Sequence, residues 1–191
     1  MKPETKVLII GLSAFAYIIY TSLYTIRTYA IDATIGIALI ILVYKNYERF
    51  HLTPTSYALL ILALFLHNLG VSGYYFQSPV FLDWDIVTHT YGLFAVGYVV
   101  HQYYSRELKH NQFLFSFLTA LGIGATVELA EFSGFFIMNI LLGIKNGFVA
   151  EAMARGGIGY IDTMFDLAFD LIGAVLGIST SWIRKALKAP S

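Results

Sequence analysis

Apolar runs of roughly 20 residues follow one another along nearly the whole chain, with few charges inside them. That pattern leaves few folds open. A hydrocarbon core about 30 Å thick takes about 20 helical residues to cross. Inside it, backbone N–H and C=O groups must be satisfied within helices or a closed barrel. Barrel strands would alternate over about 10 residues, and these runs show no alternation. Charged residues make up 13% of the 191, against about 25% in a soluble domain, and the deficit is spread rather than gathered into one anchor. The expected class is all-α: a polytopic transmembrane helical bundle, one integral domain over residues 1–191, in the cell membrane.

Polar breaks divide the chain into six expected spans, near 6–26, 30–47, 54–72, 85–104, 113–144 and 162–183. Tyrosines and tryptophans mark many of their edges, as at headgroup level; Tyr24, Tyr44, Tyr74, Trp84, Tyr103 and Trp182 are examples. The fifth run would be about 48 Å long as one helix, so it is expected to tilt, protrude or break near Gly134. The opening MKPETKVLIIGLSAFAYIIY resembles a signal peptide, with Ala14 and Ala16 near a cleavage position. Its apolar run continues past them, which favours an uncleaved first span. With the N-terminus inside, nine Lys and Arg fall in cytoplasmic connections: Lys2, Lys6, Lys45, Arg49, Arg106, Lys109, Arg184, Lys185 and Lys188. Arg27, Lys145 and Arg155 fall outside. The bias predicts six spans with both termini cytoplasmic.

Net charge is zero, which gives no basic surface for nucleic acid. Cysteine is absent, so thiolate ligands and a cysteine nucleophile are excluded.

Carboxylates interrupt this apolar frame in a regular way. Asp162, Asp166 and Asp170 recur every four residues, on one helical stripe about 12 Å long. Asp85 and His89 form D-x3-H, and Glu128 and Glu131 form E-x2-E, each pair on one face. In the six-span reading all three motifs reach the outer half of the membrane, with His67 near the same level. A carboxylate at the bilayer centre costs about 2.5–3.5 kcal/mol even on the lenient insertion scale. The Lys and Arg on the outer side of spans three to six are Lys145 and Arg155, both in one loop. A divalent cation would neutralise the acids, and helix-borne carboxylates with histidine are how bundles hold one. The expected ligands are Asp85, His89, Glu128, Glu131, Asp162 and Asp166. Mg, Mn, Zn, Ca and Fe all remain open.

Simpler readings stand beside this one. Asp83 and Asp162 also suit helix N-termini. Asp170 is deeper and is left open between the site and a polar neighbour. His67 reads as a hydrogen-bonded packing residue, while His101 and His110 fall on the cytoplasmic side as structural or solvated groups. Gly173 and Gly177, a G-x3-G pair, read as a close helix-packing face. The loop holding Lys145, Arg155, Gly156 and Gly157 reads as a connector or as a seat for an anionic headgroup.

At D-x3-H with Gly92, at Glu128-Leu129-x-Glu131 and at Asp162-Thr163-x2-Asp166 followed by Gly173-Ala174, the chain resembles the uncharacterised YjdF-type inner-membrane proteins. It is more distantly similar to the VanZ-like proteins. The likeness runs from about residue 60 to 180, and Tyr160-Ile161 stands where that family commonly has tryptophan. It implies the bundle fold and the importance of these positions; the VanZ-like comparison implies lipid- or envelope-related work.

The resulting expectation is a metal-dependent membrane hydrolase or transferase acting on a lipid or lipid phosphate. Glu131 or His89 would serve as general base, and Arg155 and Lys145 would bind the anionic substrate. Homo-oligomerisation is open. The alternatives are a proton- or cation-coupled transporter or flippase of an amphiphile, and a non-catalytic scaffold.

Overall fold

A computed structural model describes residues 1–23, 28–75, 78–136 and 158–188. They form six α-helices, α1 (Pro3–Leu23), α2 (Thr28–Lys45), α3 (Pro54–Leu69), α4 (Trp84–Glu107), α5 (Gln112–Phe136) and α6 (Ile158–Lys188). No strand occurs among the described residues. Each expected apolar run overlaps one helix, the fifth as far as Phe136, with its residues 137–144 outside the described set. Among the described residues, three segments are long and apolar enough to cross a membrane: Pro3–Leu23, Gln112–Ala130 and Thr163–Leu187, at mean hydropathies of 1.7, 1.7 and 1.4. Helix α5 passes through Gly134 and runs to Phe136, so it has no break at that glycine; residues 137–157 lie outside the described set.

Local chemistry explains several helix ends. Thr53 and Ser56 form a reciprocal capping box ahead of α3, with Pro54 at its first position, where a missing N–H costs nothing. Past Leu69 the helix widens into a π-turn, Gly70–Tyr74, in which Gly73 takes φ 139°, a conformation open to glycine. This turn folds the Tyr75 ring back over Gly70, leaving no room there for a side chain.

The helices pack as two groups of three. Phe15 and Ile18 of α1, Ala33 and Ile40 of α2, and Tyr57 and Ile61 of α3 share one core with Leu52. The Tyr57 hydroxyl donates to the Ile40 carbonyl at 2.8 Å. Tyr57→Phe is expected to cost about 1 kcal/mol, read as a lower midpoint in unfolding of the detergent-solubilised protein. The second group joins Leu93 of α4, Ala120 of α5 and Ala174 of α6.

Its principal seam runs between α4 and α6 and is built from small residues. An added Cβ at Gly97 would lie 2.7 Å from the Ala174 carbonyl oxygen. Cβ atoms at Gly173 and Gly177 would run into the Thr90 and Phe94 carbonyls. The expected G-x3-G packing face is therefore present, and Gly97 answers it from the opposite helix. Trp84 links the groups, its Nε1 donating to the Leu66 carbonyl of α3 at 3.1 Å.

Candidate metal centre

Helix α4 begins where Asp83 accepts the Asp85 N–H at 3.3 Å, so Asp83 is a cap, one of its two sequence readings. One turn inside, Asp85 and His89 share a face, with the His89 Nε2 3.6 Å from the Asp85 carboxylate. The α4–α6 seam then brings the aspartate stripe of α6 against the same imidazole. Asp166 Oδ1 lies 3.8 Å from Nε2, and Asp170 Oδ1 lies 3.1 Å from Nδ1. Helix α5 adds Glu128, whose Oε1 is 3.4 Å from Nδ1. Four carboxylates from three helices thus converge on one histidine.

The two sides of the ring differ. With Asp170 ionised and the imidazole neutral, Asp170 only accepts, so Nδ1 carries the proton and donates it. This places the lone pair on Nε2, facing Asp85 and Asp166, whose separations exceed a hydrogen bond. Exposure falls from the Asp85 side chain, 31% exposed, through Asp166 and Glu128 at 9% and 7%, to Asp170 at 1%. The cluster therefore opens outward at Asp85 and is sealed at Asp170.

Gly124 makes the sealed side possible. It lies one turn before Glu128 on α5, and a Cβ there would collide with Asp170 Oδ2. That oxygen is buried without a hydrogen-bond partner among the described residues, an expensive state for an ionised group unless a cation or protonation offsets it. Counted alone, the four carboxylates and a neutral imidazole would carry a formal charge of −4.

Among the described residues, two triads have ligand atoms mutually within 4.8 Å: Asp85, His89 and Asp166, and His89, Glu128 and Asp170. Adjacent ligands around an ion bonded at about 2.0–2.4 Å are themselves separated by about 2.8–3.9 Å, from octahedral to tetrahedral geometry. The 3.6 and 3.8 Å from Nε2 to the Asp85 and Asp166 carboxylates fall within that spacing. The chemistry of the donors fits a divalent cation.

The family described as predicted membrane protein (DUF2238) matches residues 5–186. The chain belongs to this family. An uncharacterized protein of Thermotoga maritima is 25% identical over 136 residues, covering 69% of this chain and 64% of that protein's length. No solved structure matches the chain.

Of the six ligands expected from the sequence, this DUF2238 protein brings Asp85, His89, Glu128 and Asp166 together. Glu131 and Asp162 lie on α5 and α6, one helical turn from Glu128 and Asp166, and their side chains are outside the described set. Lys145 and Arg155, the expected substrate contacts, lie in the segment outside the described residues. His67 is a packing residue as expected, its Nδ1 3.0 Å from the Tyr75 hydroxyl.

Asp170 was absent from the expected ligand set, yet it makes the shortest contact with His89. The signal was present, since Asp170 continues the four-residue stripe. Depth along the helix obscured it, because an acid so far inside could equally have met a neutral polar neighbour.

Proposed function

We propose that this DUF2238 protein is a multi-pass membrane enzyme that uses a divalent cation to act on a lipid or lipid phosphate. In this reading residues 1–191 form one membrane domain, with six crossings, both termini cytoplasmic, and the carboxylate cluster toward the outer leaflet. The observation that carries it is the two-sided environment of His89. Nδ1 lies 3.1 Å from Asp170, the most deeply buried of the four acids, and Nε2 faces Asp166 and the more exposed Asp85. Metal-binding histidines commonly have this arrangement, the second nitrogen donating to a carboxylate that fixes ring and tautomer.

Asp85, His89 Nε2 and Asp166 would hold the ion, with Asp162 one turn further along the same stripe. A donor set of one imidazole and carboxylates suits manganese, iron or zinc better than calcium. When bound, the ion supplies Lewis-acid polarisation of a phosphoryl oxygen. Asp170 and Glu128 orient the imidazole. Glu131 then takes the role of general base, because His89 is committed as a ligand. Lys145 and Arg155 would meet the anionic group of the substrate.

Elemental analysis of the purified protein, with thermal unfolding against metal concentration, tests the reading. Wild type is expected to retain a transition ion and to gain about 2.7 kcal/mol at a hundredfold excess over Kd. Asp166→Asn and His89→Gln should each abolish most of that gain. Wild type without metal, and without a metal-dependent shift, would refute the proposal.

A proton- or cation-coupled carrier is the second reading. It is favoured by the deep burial of Glu128 and Asp170, 6% and 1% exposed, which suits groups that exchange a proton away from water. Proteoliposomes separate the two: an amphiphile recovered unchanged on the far side indicates transport, and an altered one indicates catalysis.

A further inference from the structure

The opposite end of α4 carries a second constellation, with chemistry of the other sign. His101 lies 12 residues beyond His89, or about 18 Å along the helix. Together with the α4–α5 turn and the end of α6 it borders an open recess of about 630 Å³. His101, Lys109, His110, Gln112, Ser179 and Trp182 line it beside Asn111 and the apolar ring of Phe113, with no carboxylate among its lining residues. His101 forms part of the wall while only 1% exposed, and its Nδ1 is held 3.0 Å from the Ser181 hydroxyl.

The surrounding charges are not cancelled by acids. Arg184 donates to the Tyr98 hydroxyl at 2.6 Å and Lys185 to the Ser105 carbonyl at 3.1 Å, both neutral acceptors. Among the described residues, Lys109, Arg184 and Lys185 form no ion pair with a carboxylate. The nearby Glu107 is occupied by His51 at 2.6 Å. Helix α5, 25 residues long, starts at the cavity wall with Gln112, which turns the positive end of its dipole toward the same space.

An open recess with cationic groups, hydroxyl and amide donors, and an indole at its edge suits one ligand chemistry. We propose that this cavity binds a phosphate-bearing anion, either a phospholipid headgroup or a free phosphate compound. Lys109 and His110 supply charge at the mouth, His101 and Gln112 supply directed donors, and Trp182 lies alongside at the depth of an interfacial aromatic. The site is independent of the carboxylate cluster and does not require that cluster to bind metal.

Trp182 lets the site report on itself. The full chain would be placed in nanodiscs of phosphatidylcholine alone or with increasing phosphatidylglycerol, and its tryptophan emission followed. Inorganic phosphate would be titrated into the phosphatidylcholine sample, and Trp182→Phe would give the Trp84 background to be subtracted. The expected result is a saturable change in Trp182 emission whose half-saturation rises about tenfold or more in Lys109→Gln/His110→Gln, as charged hydrogen bonds are lost. Both substituted side chains are exposed, and an unchanged melting temperature would show that the variant is folded. Saturation with phosphatidylglycerol alone assigns a lipid headgroup, and saturation with inorganic phosphate assigns a soluble ligand. No saturable change with either probe, or the same midpoint in wild type and variant, overturns the proposal.

Discussion

Gly177→Val is expected to destabilise the protein by about 3 kcal/mol or more, the largest effect of any single change considered. A Cβ at this position would run into the Phe94 carbonyl, with the Tyr98 backbone nitrogen 2.9 Å away. Those atoms belong to the backbone of α4 and cannot swing aside as the end of a side chain can. The two helices must separate, and the fit of Gly97 against Ala174 is lost with them. Gly92 and Gly122 are the internal controls, since a Cβ at either meets nothing within 4 Å. Both lie inside helices, where alanine typically gains about 0.5–1 kcal/mol over glycine. Thermal or denaturant unfolding in detergent should place Gly177→Val far below wild type, and Gly92→Ala at or above it. Equal stability of the two variants would mean that α4 and α6 do not meet along this seam.

Asp170→Asn is expected to weaken metal affinity by about 10- to 100-fold without removing any proposed ligand atom, as substitutions behind a metal-bound histidine generally do. Asparagine is close in shape, so packing against Gly124 is retained. What disappears is the charge that holds the Nδ1 proton and raises the basicity of Nε2. The readout that separates this from general loosening is spectroscopic: the visible absorption of the cobalt-substituted protein should change in Asp170→Asn while the melting temperature of the metal-free protein stays near wild type. Gly124→Ala gives an independent approach to the same point, because its methyl group would displace the Asp170 carboxylate from the space it fills. Wild-type affinity in both variants would show that Nδ1 has no bearing on the ion, and the assignment of Nε2 as the metal-facing nitrogen would fail.

Much of the fold was legible because helix periodicity and apolar length are local properties of a chain. The six apolar runs each overlap one of the six helices among the described residues, which end the fifth run at Phe136. Asp85 with His89, and Asp166 with Asp162, could be assigned to shared faces from spacing alone. Gly173 and Gly177 could likewise be read as a packing face. His67 needed only a nearby partner, and the π-turn delivers Tyr75 to it.

The pairing of faces between helices was not legible in the same way. The sequence by itself determined which residues lie on one side of each helix, since 3.6 residues per turn leaves no freedom there. It could not determine how far one helix slides or rotates against another, because that depends on how closely two backbones approach. Here the glycines of α4 and α6 permit near-contact, and the resulting register places Asp170 rather than Asp85 closest to His89. The same contact directs Asp166 to one imidazole nitrogen and Asp170 to the other. Only the tertiary structure could distinguish those two nitrogens, because each lies within reach of acids from more than one helix.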